Sequence, residues 1–170
     1  MSSQQSPRRI TTGVSNFLAV TNVAVQPADM PLDLEAQPCF ALQSASRAIT
    51  RAYKPLLEPL GLTYTQYTVL LALWEQDGLS LAELAARLHT DPPSLTPVIR
   101  RLAERGLLTR ERAENDERRL IIELTEAGRA LRTDAHEIPY QMLCRVGLDP
   151  QEGADLIALL TRIRSTLDAR

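Results

Sequence analysis

From Cys39 to Lys54 the apolar residues Phe40, Leu42, Ala45, Ala48, Ile49 and Ala52 recur at threes and fours, which predicts an amphipathic helix. Pro55, Pro59 and Gly61 end it. A second helix, about 64–76, carries Tyr67, Leu70, Leu71 and Trp74 and stops at Asp77-Gly78. A third starts at Ser80, where Ser80 and Glu83 form an S-x-x-E capping box, and turns Leu81, Leu84, Ala85 and Leu88 inward. After His89-Thr90-Asp91 a fourth runs from about 92 to 105, with Pro92 or Pro93 in its first turn and Gly106 as its stop. Its apolar stripe is Leu95, Val98, Ile99 and Leu102, and Pro97, lying deeper, predicts a kink or a delayed start.

After Gly106 the period shortens to that of strands. Leu107–Ala113 and Leu120–Thr125 read as two extended runs, and the charged stretch ENDERR, 114–119, as the turn between them, too long for a two-residue loop. Thr125 caps a long helix over about 126–144. A break at Val146-Gly147 precedes a last helix, opened by Asp149, Pro150 and Glu152 as a second capping box. Leu156, Leu159, Leu160, Ile163 and Leu167 form its stripe. Residues 1–30 keep no such period. Their short apolar stretch, 17–25, follows Arg8 and Arg9 as in a leader peptide, but no small-residue cleavage site follows it. The regular pattern opens only after Met30, and 1–37 reads as a disordered N-terminal arm or extension.

The predicted class is mainly α with a small β-hairpin. Composition adds limits. At 170 residues, 44% hydrophobic and 24% charged, the chain is of ordinary single-domain make-up. No apolar run approaches the eighteen residues of a membrane span. Two cysteines 105 residues apart are too few for a secreted disulfide framework and suit a reducing, cytoplasmic setting. The net charge of −2 speaks against a basic nucleic-acid binder. Locally the picture reverses: residues 95–119 hold seven arginines against five acids.

Helix 80–88, a three-residue turn, helix 92–105 and a charged hairpin follow the order of a winged helix-turn-helix. The first helix braces, and the second offers its polar face to the major groove of double-stranded DNA, which admits one helix. Ser94, Thr96, Arg100 and Arg101 lie off the core stripe and suit phosphates or base edges. Arg118 and Arg119 at the hairpin tip suit the backbone or minor groove, with Asp116 placed to hold Arg118. Cys39, behind Pro38, falls in the first turn of its helix, where unpaired N–H groups favour a thiolate. Tyr53 and Tyr64 supply phenols that can hydrogen-bond such a sulfur. A small buried hydrophobe explains a cysteine there equally well. His89 and His136 stand alone, the cysteines lack metal-ligand spacing, and there is no phosphate loop, nucleophile elbow or catalytic carboxylate pair. No metal, no cofactor and no enzyme activity are expected.

The segments CFALQSASRAITRAY, LGLTYTQYTVLLALWE, LAELAARL, SLTPVIRRLAERGLLTRERAENDERR and LTEAGRAL resemble the MarR-type repressors across about 38–170. The cysteine opening the first helix, Tyr53, Tyr64 and LTYTQY narrow the resemblance to the organic hydroperoxide resistance regulators (OhrR). Cys144 falls where the two-cysteine type carries its resolving cysteine, and Gln43 stands where relatives have another tyrosine. The resemblance implies a MarR-like homodimer on a pseudo-palindromic operator. It implies a DNA-binding part of about 64–125, with dimerisation by helices of about 39–58 and 126–170. It also implies that organic hydroperoxide oxidises Cys39, that the partner's Cys144 closes an intersubunit disulfide, and that the repressor then leaves its operator. A repressor answering a small aromatic ligand, with Cys39 incidental, and a thiol peroxidase using both cysteines are the competing expectations.

Overall fold

The computed structural model describes residues 31–113 and 116–169, and for 113 and 116–119 the backbone alone. The stretch 1–30, with Arg8, Arg9 and the apolar run 17–25, lies outside the described residues. The chain falls into two units, one ending at Ala48 and the other beginning at Ile49.

In the first unit a 3-10 turn, Leu34–Ala36, precedes helix α1, Pro38–Leu57. The Gln37 amide donates to the carbonyls of Pro31 (2.6 Å) and Asp33 (3.2 Å). The predicted stripe of α1 finds no cover here: Phe40 is half-buried, and Leu42, Ala45 and Ala48 are exposed.

In the second unit α1 runs through Pro55 to Leu57 instead of ending at Lys54. Pro55 costs the Arg51 carbonyl its helical donor, a loss the last turn tolerates because Leu57 is fully buried. A 3-10 turn, Glu58–Leu60, follows, and Gly61 takes φ 62° to close it. Helix α2, Tyr64–Glu75, starts with a reciprocal Thr63/Gln66 capping box. It is buried nearly all round, through Tyr67, Val69, Leu70, Ala72 and Leu73, and is the centre of the core.

A two-residue strand β1, Leu79–Ser80, absent from the sequence reading, leads straight into α3, Leu81–Arg87, whose Ser80/Glu83 box forms as predicted. Helix α4, Pro92–Glu104, begins without delay although Pro97 sits inside it. Leu95, Ile99 and Leu102 are buried, and that anchorage outweighs the bond the proline removes. Strands β2, Leu108–Ala113, and β3, Asp116–Leu124, pair antiparallel, and β1 adds to β3, so the sheet order is β1-β3-β2.

The long charged turn is therefore corrected. β3 reaches back to Asp116, which pairs with Ala113, and the register shifts between Arg112 and Ala113. Ladder hydrogen bonds, not an apolar face, extend a hairpin beyond the core, so the hydrophobic period saw only its root. Residues 114–115 lie outside the described residues.

The single helix expected over 126–144 is two, α5, Glu126–Asp134, and α6, Ile138–Val146. Pro139 is the cause. It has no N–H for the Ala135 carbonyl and its ring would strike that oxygen, so the chain breaks at 135–137 and restarts with the proline in the first turn. Helix α7, Pro150–Asp168, opens with the predicted Asp149/Glu152 box and buries none of its residues. Among the described residues no helix is long and apolar enough to cross a membrane.

Candidate nucleic-acid interface and cysteine sites

The turn between α3 and α4 is a Schellman closure. The Thr90 N–H donates to the Ala85 carbonyl (3.0 Å) and the His89 N–H to that of Ala86 (3.1 Å), with His89 at φ 50° where glycine is usual. Asp91 then caps α4. Its carboxylate accepts from the Ser94 N–H (3.1 Å) and hydroxyl (2.7 Å), and the Ser94 hydroxyl above all holds the Asp91 carboxyl below the ordinary carboxylate range.

Burial of the Leu95–Ile99–Leu102 stripe leaves Ser94, Thr96, Arg100 and Arg101 exposed on the opposite side, as the sequence places them. Two details alter their chemistry. The hydroxyl protons are occupied, Ser94 donating to Asp91 and Thr96 to the Pro92 carbonyl (3.2 Å). Phosphate oxygens only accept, so either hydroxyl must turn to meet one. Arg100 lies 3.5 Å from Glu104 one turn on, an exposed pair that a phosphate readily displaces. Arg105, one of the seven arginines of the basic segment, is turned away and hydrogen-bonds the carbonyls of Gly61 and Leu60. Asp116, Arg118 and Arg119 have their backbone in β3; their side chains lie outside the described residues.

Both thiols are free and exposed. Cys39 follows Pro38 in the first turn of α1, as the proline predicts. Cys144 lies on α6, and Tyr140 one turn earlier has its phenol raised above the ordinary range by a hydrogen bond with that cysteine. Tyr53 and Tyr64 are half-buried with their rings 4.6 Å apart. Burial first, then the neighbouring Tyr64, raises the Tyr53 phenol. Tyr67 extends the cluster, 5.9 Å from Tyr53 and edge-on to Trp74 at 6.3 Å, and burial pushes its phenol up to about 12. Cys39 belongs to the first unit and these phenols to the second.

The sequence reading missed the side chains that tie the wing to the helices. Asp77, read only as a helix stop, accepts from the N–H groups of Leu124 (2.8 Å) and Gly78 (3.0 Å) and from Arg129 (2.7 Å). The Trp74 indole donates to the Gly128 carbonyl (2.9 Å). A cavity of about 690 Å³ opens beside Trp74, lined by Tyr67, Leu88 and Pro139, by Arg87 with its ion-pair partner Glu75, and by Arg132 and His136.

Comparison with known proteins agrees with this geometry. A family described as transcriptional regulator SarA/Rot matches residues 51–134. The organic hydroperoxide resistance transcriptional regulator of Bacillus subtilis is 42% identical over 137 residues, 81% of this chain and 91% of that one. AbfR, solved reduced and bound to DNA, superposes with a TM-score of 0.68 at 31% identity, covering 81% of this chain and 96% of that one. In its disulfide-formed structure the TM-score is 0.56 at 32% identity, over 80% and 90% of the two chains. Bordetella bronchiseptica BpsR, whose DNA binding is regulated by 6-hydroxynicotinic acid, gives 0.72 at 27% identity over 79% and 97%.

A helix-turn-helix with a paired wing, buried on one side and polar on the other, defines a winged-helix DNA-binding protein. The chain belongs to the MarR-type family of transcriptional regulators. Within that family it is similar to the organic hydroperoxide resistance regulators.

Proposed function

We propose that the chain is a homodimeric repressor that grips a pseudo-palindromic operator when Cys39 is reduced and releases it when an organic hydroperoxide oxidises that sulfur. The observation that supports this reading is that Cys39 is a free, exposed thiol in the first turn of α1. The thiolate attacks the distal peroxide oxygen. The O–O bond breaks, the alcohol leaves with a proton, and Cys39 becomes a sulfenic acid. The Cys144 thiol of the partner subunit displaces that hydroxyl as water and leaves an intersubunit disulfide. Cys144 is exposed on α6 and so open to such an approach. Tyr53 and Tyr64 are the phenols assigned to hold the thiolate. Tyr53 stands fourteen residues from Cys39 along α1, about 21 Å at about 1.5 Å per residue, and Tyr64 is stacked on it. In the homodimer they therefore serve the sulfur of the opposite subunit. Hydrogen bonds to a charged group are worth about 1.5–3 kcal/mol each, and 1.4 kcal/mol is tenfold in affinity. Losing one in each subunit weakens operator binding about a hundredfold.

The test is operator binding before and after one equivalent of cumene hydroperoxide. The parent should release DNA and rebind it after thiol reduction. Cys39→Ser should stay bound, and Cys144→Ser should release at one equivalent as the sulfenic acid and proceed to the sulfinic acid when a second equivalent is added. Peroxide-driven release of Cys39→Ser would remove the sensing role.

The cavity beside Tyr67 and Trp74 supports a second reading, a repressor released by an aromatic acid whose carboxylate meets Arg132, Arg87 being already paired with Glu75. Release of Cys39→Ser by millimolar 6-hydroxynicotinate, with no response to peroxide in the parent, would favour it.

A further inference from the structure

Arg105 is the C-cap residue of α4. Its Nη1 donates to the Gly61 carbonyl at 2.6 Å and its Nη2 to the Leu60 carbonyl at 2.9 Å. Both carbonyls close the helical run of α1 and its 3-10 extension, where backbone oxygens lose their partners within the run. A planar guanidinium offers Nη1 and Nη2 to two carbonyls in a fixed fork, which the single nitrogen of a flexible ammonium does not reproduce. Gly61 is fitted to the same contact. Its φ of 62° suits glycine, and a Cβ there would lie 3.1 Å from Nη2 of Arg105. The latter half of α1 is also held from α6, where Arg145, next to Cys144, donates to the Ala52 carbonyl at 3.2 Å.

We infer that Arg105 is a positioning residue for DNA recognition. It fastens the C-terminal end of α4 to the turn that follows α1 and so sets the angle at which Ser94, Thr96, Arg100 and Arg101 meet the duplex. Movement at the end of α1 passes to α4 through this pair of bonds. The inference rests on the DNA-binding reading and not on the nature of the signal.

The same arginine, at the edge of a basic segment, would also suit a direct phosphate contact, and salt separates the two roles. The probe is a labelled duplex that the reduced parent selects from a random-sequence pool. Affinity for it, affinity for an unselected duplex, the salt slope and the thermal midpoint are measured for the parent, Arg105→Gln, Arg105→Lys and Gly61→Ala.

Both arginine variants should lose about tenfold in affinity for the selected duplex, the loss expected when about 1.4 kcal/mol of orientation is removed. Binding to the unselected duplex, the salt slope and the midpoint should stay at parent values. Gly61→Ala should reproduce the loss without removing a cation. Restoration by lysine, with the slope in Arg105→Gln falling by about 0.9, would make Arg105 a phosphate contact and overturn the inference. Parent-like affinity in Arg105→Gln, or a loss shared by both duplexes together with a lowered midpoint, would overturn it too. A parent that enriches no duplex overturns the DNA-binding reading and the inference with it, whereas the variant results alone leave that reading standing.

Discussion

Gly128 lies in the first turn of α5 at a point where the chain leaves no room for a side chain. A Cβ there would fall inside the van der Waals shell of the Leu107 carbonyl oxygen and against Leu124. The Trp74 indole takes the Gly128 carbonyl, and Thr125 donates its hydroxyl to Gly106 at 2.6 Å, so the neighbouring backbone is fixed. Gly128→Ala is expected to destabilise the protein by about 3 kcal/mol, the upper end for overpacking, measured by urea unfolding. Tyr67 gives a pH prediction. Its phenol is raised from 10.0 to about 12 by burial, so between those values the folded state keeps a proton that the unfolded state releases. Stability is complete below pH 10 and falls as pH rises toward 12, by up to about 3 kcal/mol. Tyr67→Phe should make that alkaline limb shallower in a thermal-midpoint titration, leaving the part that the raised Tyr53 phenol contributes. Residues whose chemistry is local were legible in the sequence: Pro38 places Cys39, and Ser80 announces its box with Glu83. Asp77 and Arg105 were not, because their partners Leu124 and Gly61 stand 47 and 44 positions away and no short motif marks such a bond.

Elements were legible where apolar spacing and caps agreed. The core faces of α3 and α4 came through because Leu84, Ala85, Leu95, Ile99 and Leu102, which the spacing set on one side of each helix, are buried. Boundaries slipped at prolines. Pro55 sits inside α1, and Pro139 divides what periodicity joins, because apolar spacing continues across a break that only the missing N–H enforces. The α3–α4 turn carries the element-scale prediction. His89 holds φ 50° in a Schellman closure that glycine enters without a Cβ clash. His89→Gly is expected to raise stability by about 0.5–1 kcal/mol, read as a higher thermal midpoint. An unchanged or lower midpoint would show that the imidazole contributes more in this turn than the backbone strain costs.

At the scale of the molecule, α6 and α7 present an apolar face that the second unit leaves open. Tyr140, Leu143 and Val146 on α6 and Leu156, Leu159, Ile163 and Leu167 on α7 are all exposed, and α7 buries nothing. The stripe on α7 was plain in the sequence. What covers it was not, since periodicity shows that a face is apolar and says nothing about whose surface meets it. The proposed homodimer answers that: a second copy covers the face and sets two α4 helices on one duplex. Linking two half-site contacts raises overall affinity by about 10²–10⁴ over one alone. Leu159 and Ile163 lie one turn apart, so Leu159→Glu with Ile163→Glu puts two carboxylates on the same strip. The double variant should sediment as a monomer and bind the operator at least about a hundredfold more weakly. Its helix content should fall by no more than the share of α7, whose apolar face loses the cover that the second copy supplies. A double variant that remains a dimer with parent affinity would assign the contact to another surface, and α7 would then need a different occupant.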